Sequence, residues 1–400
     1  MPSLSNRAAV LPASPIRKLA PYAATAKANG VHVYHLNIGQ PDIQTPPEFF
    51  AAIQSANLPV LEYSPSPGFD SLRDAIAAYY QNLGHAISRS EVLVTTGASE
   101  ALNFLFAAIL NPGDEVIVPE PFYANYQSFS LANDATVVPV TTQLDQDFAL
   151  PPIEAFEAKI TERTKAILIC NPANPTGVLY PEESLVKLQQ ICLKHDLFLI
   201  SDEVYREFTY GGLPHHSVLA LEGMENHAIV VDSISKRFSA CGARIGCVVT
   251  KNSDLSTAIL KMAQARLSPP TYGQIGAEAV YRLPSDYYLN MVQEYAERRD
   301  TLIQELAKIP GVVCPSVNGA FYAMVRLPVT SAEHFCQWLL ESFQYEGQTV
   351  MLAPGEGFYA TPGLGLQEVR IAYVLKKEKL IKAIEVLGHA LEAYPHRTVG

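Results

Sequence analysis

The sequence predicts an α/β protein: a mostly parallel central sheet with helices on both faces, accompanied by a smaller α/β domain. Three observations carry this expectation. From about residue 90 onward, short β-branched runs alternate with helical stretches, the pattern of parallel strands joined by crossover helices. Several of these runs are apolar without interruption, as strands covered on both faces are. The chain has 400 residues, more than one hydrophobic core usually holds, so two structural units are expected.

Taken in order, residues before about 40 contain several prolines and no clear period, and read as an arm that packs on the smaller unit or on a partner subunit. Candidate strands follow at 91–95, 115–118, 136–140, 166–170, 197–201, 228–232 and 246–250. Unusual polar loops begin at the carboxyl ends of four of them: Gly97-Ala98-Ser99, Asn171-Pro172-Ala173-Asn174-Pro175-Thr176-Gly177, Asp202-Glu203-Val204-Tyr205 and Ser233-Ile234-Ser235-Lys236. Open α/β sheets bind ligands along that edge, so these loops are expected to converge on one crevice. A long helical pattern over 286–308 stops at Pro310-Gly311, and 321–327 and 369–374 read as strands of the smaller unit. The expected division is 1–40 as an arm and part of the small domain, 41–285 as the large domain, and 286–400 as the small C-terminal domain.

Composition excludes several function classes. Apolar residues make up 48% and charged residues 17%, a globular balance, so the chain is expected to fold throughout. A formal charge of -11 and the lack of any basic block argue against a nucleic-acid partner, whose phosphates need clustered Lys and Arg. No signal-peptide core and no run of about 18 apolar residues is seen, which predicts a cytoplasmic protein with no membrane partner. Cys170, Cys192, Cys241, Cys247, Cys314 and Cys336 form no Cys-x-x-Cys pair and read as reduced structural thiols. His215-His216 reads as a loop pair, and no metal site is expected.

The chemistry centres on Ser233-Ile234-Ser235-Lys236-Arg237-Phe238, followed by Gly242, Arg244 and Gly246, which fits Ser-x-Ser-Lys-x-Phe-x-x-x-Gly-x-Arg-x-Gly. A lysine at the mouth of a sheet can form an imine with an aldehyde cofactor, and its freed amine can then shuttle a proton. The alternative is a solvated surface lysine. Arg237 and Arg244 are expected to help keep the amine unprotonated, and Arg244 can also clamp a phosphate. The run resembles the lysine region of class I aminotransferases, the fold-type-I pyridoxal-phosphate family, and the resemblance extends over essentially the whole chain. It implies pyridoxal 5'-phosphate as cofactor and Lys236 as the catalytic residue that holds it.

Other segments acquire roles beside that motif. Asp202 ends an apolar run, where a carboxylate can hold a pyridine nitrogen protonated; taken alone it reads equally as a helix N-cap. The resemblance implies that Asn174 and Tyr205 hydrogen-bond the cofactor's phenolic oxygen. Gly97-Ala98-Ser99 opens a helix, so its backbone amides and the Ser99 hydroxyl can receive a phosphate, to which Ser233 and Ser235 can add hydroxyls; a plain strand-to-helix turn is the alternative. Resemblance puts Tyr123 flat against the pyridine, with Phe122 as the residue that exchanges roles with it if the register slips by one. Arg370, amid apolar neighbours, suits bidentate capture of a substrate α-carboxylate, or a structural salt bridge.

Asn37-Ile38-Gly39-Gln40-Pro41-Asp42 resembles the family's N-terminal glycine loop, with Gly39 against the substrate. Tyr63 matches the tyrosine that members of the family send to the neighbouring subunit's phosphate, which implies a homodimer with shared active sites. Either segment alone reads as a Pro/Gly turn. Leu4-Ser5-Asn6-Arg7-Ala8 and Phe358-Tyr359-Ala360-Thr361-Pro362-Gly363 extend the likeness to bacterial-type aspartate aminotransferases. The implied reaction moves an amino group from an L-amino acid, with aspartate the first choice, to 2-oxoglutarate by ping-pong kinetics. Gln274 stands near where some aspartate enzymes place a second arginine, so aromatic or broad-specificity transamination stays open, as does a β-lyase on the same constellation. A transcriptional regulator carrying such a domain needs a DNA-binding module, and no helix-turn-helix segment precedes Asn37.

Overall fold

A computed structural model describes residues 2–398. Twelve strands occur among them: β1 His32–His35, β2 Val92–Thr95, β3 Glu115–Glu120, β4 Thr136–Thr141, β5 Thr164–Cys170, β6 Phe198–Asp202, β7 Ala228–Ser233, β8 Gly246–Thr250, β9 Tyr322–Arg326, β10 Gln348–Met351, β11 Ala353–Pro354 and β12 Glu368–Ala372. Seven form the main sheet in the order β2-β8-β7-β6-β5-β3-β4, parallel throughout except for β8, which runs against both neighbours. Each of the seven strands expected between residues 91 and 250 is present, with ends moved by at most a few residues.

Strand periodicity divides the core into two layers. Ala166 and Leu168 of β5 face one apolar cluster, and Ile167 and Ile169 face the other; Val248 and Val249 of β8 divide in the same way. Helices Gly97–Ile109 and Ser253–Arg266 cover the first face, and Asp70–Asn82, Glu182–His195 and Thr271–Tyr281 the second. Helix Glu182–His195 shows the local logic. Its Leu185, Leu188, Ile191 and Cys192 are buried at helical spacing, and it stops at Asp196 in the left-handed region, just after Lys194 and His195. Burial of each Leu or Ile there contributes about 1.5–3 kcal/mol.

Past helix Ser285–Leu306, β9, β11 and β12 form an antiparallel sheet most of whose apolar residues join the first cluster, with Met324 and Ala353 joining the second, so both cores run from the main sheet into this unit. The N-terminal region is more ordered than its sequence suggested. Residues Ala20–Ala28 form a helix with Pro21 in its first turn, a position where the missing N–H costs nothing, and β1 pairs in parallel with β10. Among the described residues no helix is long and apolar enough to cross a membrane.

Candidate active site

Loops at the carboxyl edge of β2, β3, β5, β6 and β7 close over a cavity of about 380 Å³. Ala98, Ser99, Tyr123, Asn174, Asp202, Tyr205, Ser233, Ser235, Lys236 and Arg244 line it, joined by Gly39 from the N-terminal loop and Arg370 from β12.

β7 ends at Ser233, whose hydroxyl accepts the Ser235 amide (3.1 Å), donates to Ile245 O (2.9 Å), and so caps the short turn Ile234–Arg237. Lys236 Nζ donates to Gly39 O at 2.9 Å and lies 4.0 Å from Cys241 Sγ. Arg237 does not join it. Successive residues of a helical turn diverge by about 100°, and Arg237 points to the opposite side, fully buried in an ion pair with Asp232 beside the Tyr79 ring. The expectation that Arg237 influences the Lys236 amine is therefore corrected, whereas Arg244 lies in the cavity.

One end of the cavity has anion-binding chemistry. Gly97 opens a 13-residue helix with φ +75°, and a Cβ on it would collide with the Arg244 guanidinium, so glycine lets that group lie over the helix start. Arg244 Nη1 donates to Cys241 O (3.1 Å) and Nη2 to Thr96 O (3.4 Å). A Cβ on Gly246 would stand 2.6 Å from Gly97 C and 2.7 Å from Ala98 N, so a second glycine keeps this strand flush with the loop. First-turn amides, Ser99, Ser235 and Arg244 together offer donors that suit an anion such as a phosphate.

The other end holds a carboxylate. Asp202 at the tip of β6 is buried, and burial first of all raises its pKa to about 6. Tyr126 Oη donates to Asp202 Oδ2 at 2.7 Å, and the Val204 amide approaches Oδ1 at 3.4 Å. No helix starts after Asp202, so it is not an N-cap. Tyr126 was not foreseen, although the spacing Tyr123-Ala124-Asn125-Tyr126 places two tyrosines one helical turn apart. Tyr123 lines the cavity while Phe122 sits in the core, which settles the register between them.

Arg370 is only 1% exposed. Its Nη1 donates to Asn174 Oδ1 (2.9 Å) and Nη2 to Asn37 O (2.6 Å), and it stacks over Tyr322 and Phe358 at 4.5 and 5.0 Å. Its Nε has no partner, and among the described residues no carboxylate pairs with it, so it is not half of a structural salt bridge. Burial lowers its pKa, a sign that the charge is costly here without an anion. Gly39 presents bare backbone because a Cβ would overlap the Tyr322 hydroxyl, which lies 3.0 Å from Tyr205 Oη. Tyr322 and Arg17 also line the cavity and were not singled out from the sequence, and Cys241, which read only as a structural thiol, lines it as well.

Two expected residues lie elsewhere. Tyr63 is 78% exposed, within a segment that also exposes Leu58, Val60 and Leu61, and it does not reach its own chain's cavity. Gln274 is buried outside the cavity, donating to Ser64 Oγ (2.8 Å) and Pro269 O (3.1 Å) and accepting the Phe69 amide (2.8 Å), so it braces the 64–69 turn. His215 bonds Asn171 O at 3.0 Å, within a loop as expected.

The family model for aminotransferase class I and II matches residues 31–387. The aspartate aminotransferase of Bacillus subtilis (strain 168) is 34% identical, covering 98% of this chain and 99% of its own. Among solved structures, the aspartate aminotransferase of Thermotoga maritima and an alanine aminotransferase from Pyrococcus furiosus each superpose with a TM-score of 0.89 at 30% identity, covering 98% of this chain and 100% of theirs.

Proposed function

Since this chain belongs to the class I and II aminotransferases, we propose that it moves the amino group of L-aspartate to 2-oxoglutarate, using pyridoxal 5'-phosphate held in the cavity by Lys236. The observation that carries this reading is Arg370, a buried guanidinium without a counter-ion that shares a cavity with a lysine amine. The donor set fits the cofactor, with phosphate chemistry at one end and a buried carboxylate at the other. When bound, the cofactor supplies an aldehyde that links to amines and a protonated ring that takes up the electron pair released at a substrate α-carbon.

The protein's own groups do the rest. Arg244, Ser99, Ser235 and the amides at Ala98 and Ser99 hold the phosphate, while Ser233, whose hydroxyl proton is committed to Ile245 O, braces the turn that carries Ser235 rather than donating to the phosphate as the sequence suggested. Asp202, kept in place by Tyr126, holds the ring nitrogen protonated, and Tyr123 packs on the ring. Asn174 has its carbonyl occupied by Arg370, which leaves its NH2, like the Tyr205 hydroxyl, for the phenolic oxygen. Arg370 grips the α-carboxylate, so that the α-hydrogen faces Lys236 Nζ, which takes it as a proton. In this reading residues 41–285 form the cofactor-binding domain, and 286–400 with the arm form the unit that carries Arg370. The exposed segment around Tyr63 supports a homodimer in which each copy completes the other's phosphate site.

L-Aspartate added alone to cofactor-loaded protein is expected to release one equivalent of oxaloacetate per site and then stop until 2-oxoglutarate is supplied. Continuous release without acceptor points to a lyase; no release from aspartate but release from an aromatic amino acid moves the donor assignment.

Asp202 sets a pH dependence. In the free protein its carboxyl, pushed up to about 6, takes up a proton as pH falls through that value, and a ring nitrogen that arrives already protonated can pair with it only once this proton is released. Cofactor affinity is expected to fall about tenfold per pH unit below 6 relative to an Asp202→Asn variant, measured by fluorescence titration. Parallel pH profiles in the two proteins would contradict the role.

A further inference from the structure

The reading so far leaves the substrate's second carboxylate without a partner. Of the cations lining the cavity, Lys236 is bonded to Gly39 O, Arg244 lies over the start of helix Gly97–Ile109, and Arg370 is assigned to the α-carboxylate. The fourth is Arg17. Its guanidinium makes no hydrogen bond or ion pair with any described residue, and it stands exposed at the mouth of the cavity.

The backbone around Arg17 is firmly seated. The Arg17 and Lys18 amides donate to Ser14 O at 3.2 and 3.0 Å, closing a turn. Asn37 Nδ2 donates to Ile16 O at 2.9 Å, and Asn37 O receives Arg370 Nη2, so a single residue ties the turn to the α-carboxylate site. Pro15 is buried against Gly357, where a Cβ would strike its ring, and Lys18 pairs with Glu333 at 2.5 Å. The turn is therefore held rigidly while its cation is left unengaged. Arg17 and Arg370 are both close enough to Tyr123 for its hydroxyl to feel their charge. The carboxylate lining the cavity, Asp202, is held by Tyr126.

We infer that Arg17 reads the distal carboxylate of a dicarboxylic substrate, so that the turn at Ser14–Lys18 is a specificity element of the enzyme. The inference rests on the dicarboxylic donor proposed above. A monocarboxylic amino acid gains nothing from this cation, whereas a charge-assisted hydrogen bond from it favours aspartate or glutamate by about 10- to 100-fold.

The test uses cofactor-loaded protein as wild type, Arg17→Gln and Arg17→Lys. Because the side chain makes no hydrogen bond or ion pair with any described residue, its loss is expected to cost the fold little. Succinate, which cannot react, is titrated by calorimetry, with butyrate as the monocarboxylic control, and kcat/KM is measured for L-aspartate and L-alanine. The expected result is that Arg17→Gln binds succinate about 10- to 100-fold more weakly, lowers the aspartate-to-alanine ratio of kcat/KM by a similar factor, and recovers part of both as Arg17→Lys. A wild type that prefers aspartate, with a preference unchanged in Arg17→Gln, overturns this inference alone. A wild type with no preference for dicarboxylates overturns the substrate assignment and this inference with it.

Discussion

Replacing Lys236 with alanine is expected to lower transamination by at least about 10⁴-fold, because in the proposed reaction the same amine would both hold the cofactor and move the α-proton. The side chain's contacts are with Gly39 O and, more distantly, Cys241 Sγ, so its removal costs the fold little and the variant should melt near the wild-type temperature. Turnover is one readout. A second is covalent attachment: borohydride treatment of wild type should leave a stable mass increase on the peptide containing residue 236, and the variant should show none while still binding cofactor that dialysis removes. A variant that keeps full turnover, or a wild type labelled on another lysine, sinks the assignment.

Arg370→Gln should be the next most damaging change. Truncating one partner of a buried, hydrogen-bonded charge pair costs about 2–5 kcal/mol, so kcat/KM for the amino acid should fall by about 30- to 5,000-fold. Lysine should rescue it poorly, since it keeps the charge but loses the planar fork that bonds Asn174, Asn37 and a carboxylate together. Cofactor affinity should hold, because the phosphate and ring contacts lie on other residues. Stability should hold as well, since the substitution removes a buried charge that has no counter-ion in the free protein. A loss of activity matched by a loss of thermal stability would recast Arg370 as structural.

What the sequence made legible follows from how local each signal is. The lysine motif and the runs of β5, β6 and β7 carry their meaning within a few residues, because the motif is contiguous in sequence and a strand covered on both faces is largely apolar. Strand β1 has no such signal: His32-Val33-Tyr34-His35 is a strand because Gln348–Met351 lies beside it, and that partner is at the other end of the chain. Pro21 disguised a helix that it helps to start. Arg237 was misread because neighbours in sequence diverge on a helical turn, whereas Arg17 went unnoticed because only tertiary packing brings the arm to the cavity.

Strand β8 runs against the sheet, and this has a consequence for the order in which the protein can be built on the ribosome. β2 pairs with β8 alone in the main sheet, so the strand leading into Gly97 has no neighbour until residues near 250 have emerged. Strands β3 to β7 can assemble earlier from closer segments, since chains are synthesised at about 5–20 residues per second and local contacts form first. The loop at Gly97 is therefore among the last parts of the large sheet to close, and the nascent chain carries an unpaired strand of three apolar residues and Thr95 until β8 arrives to cover it.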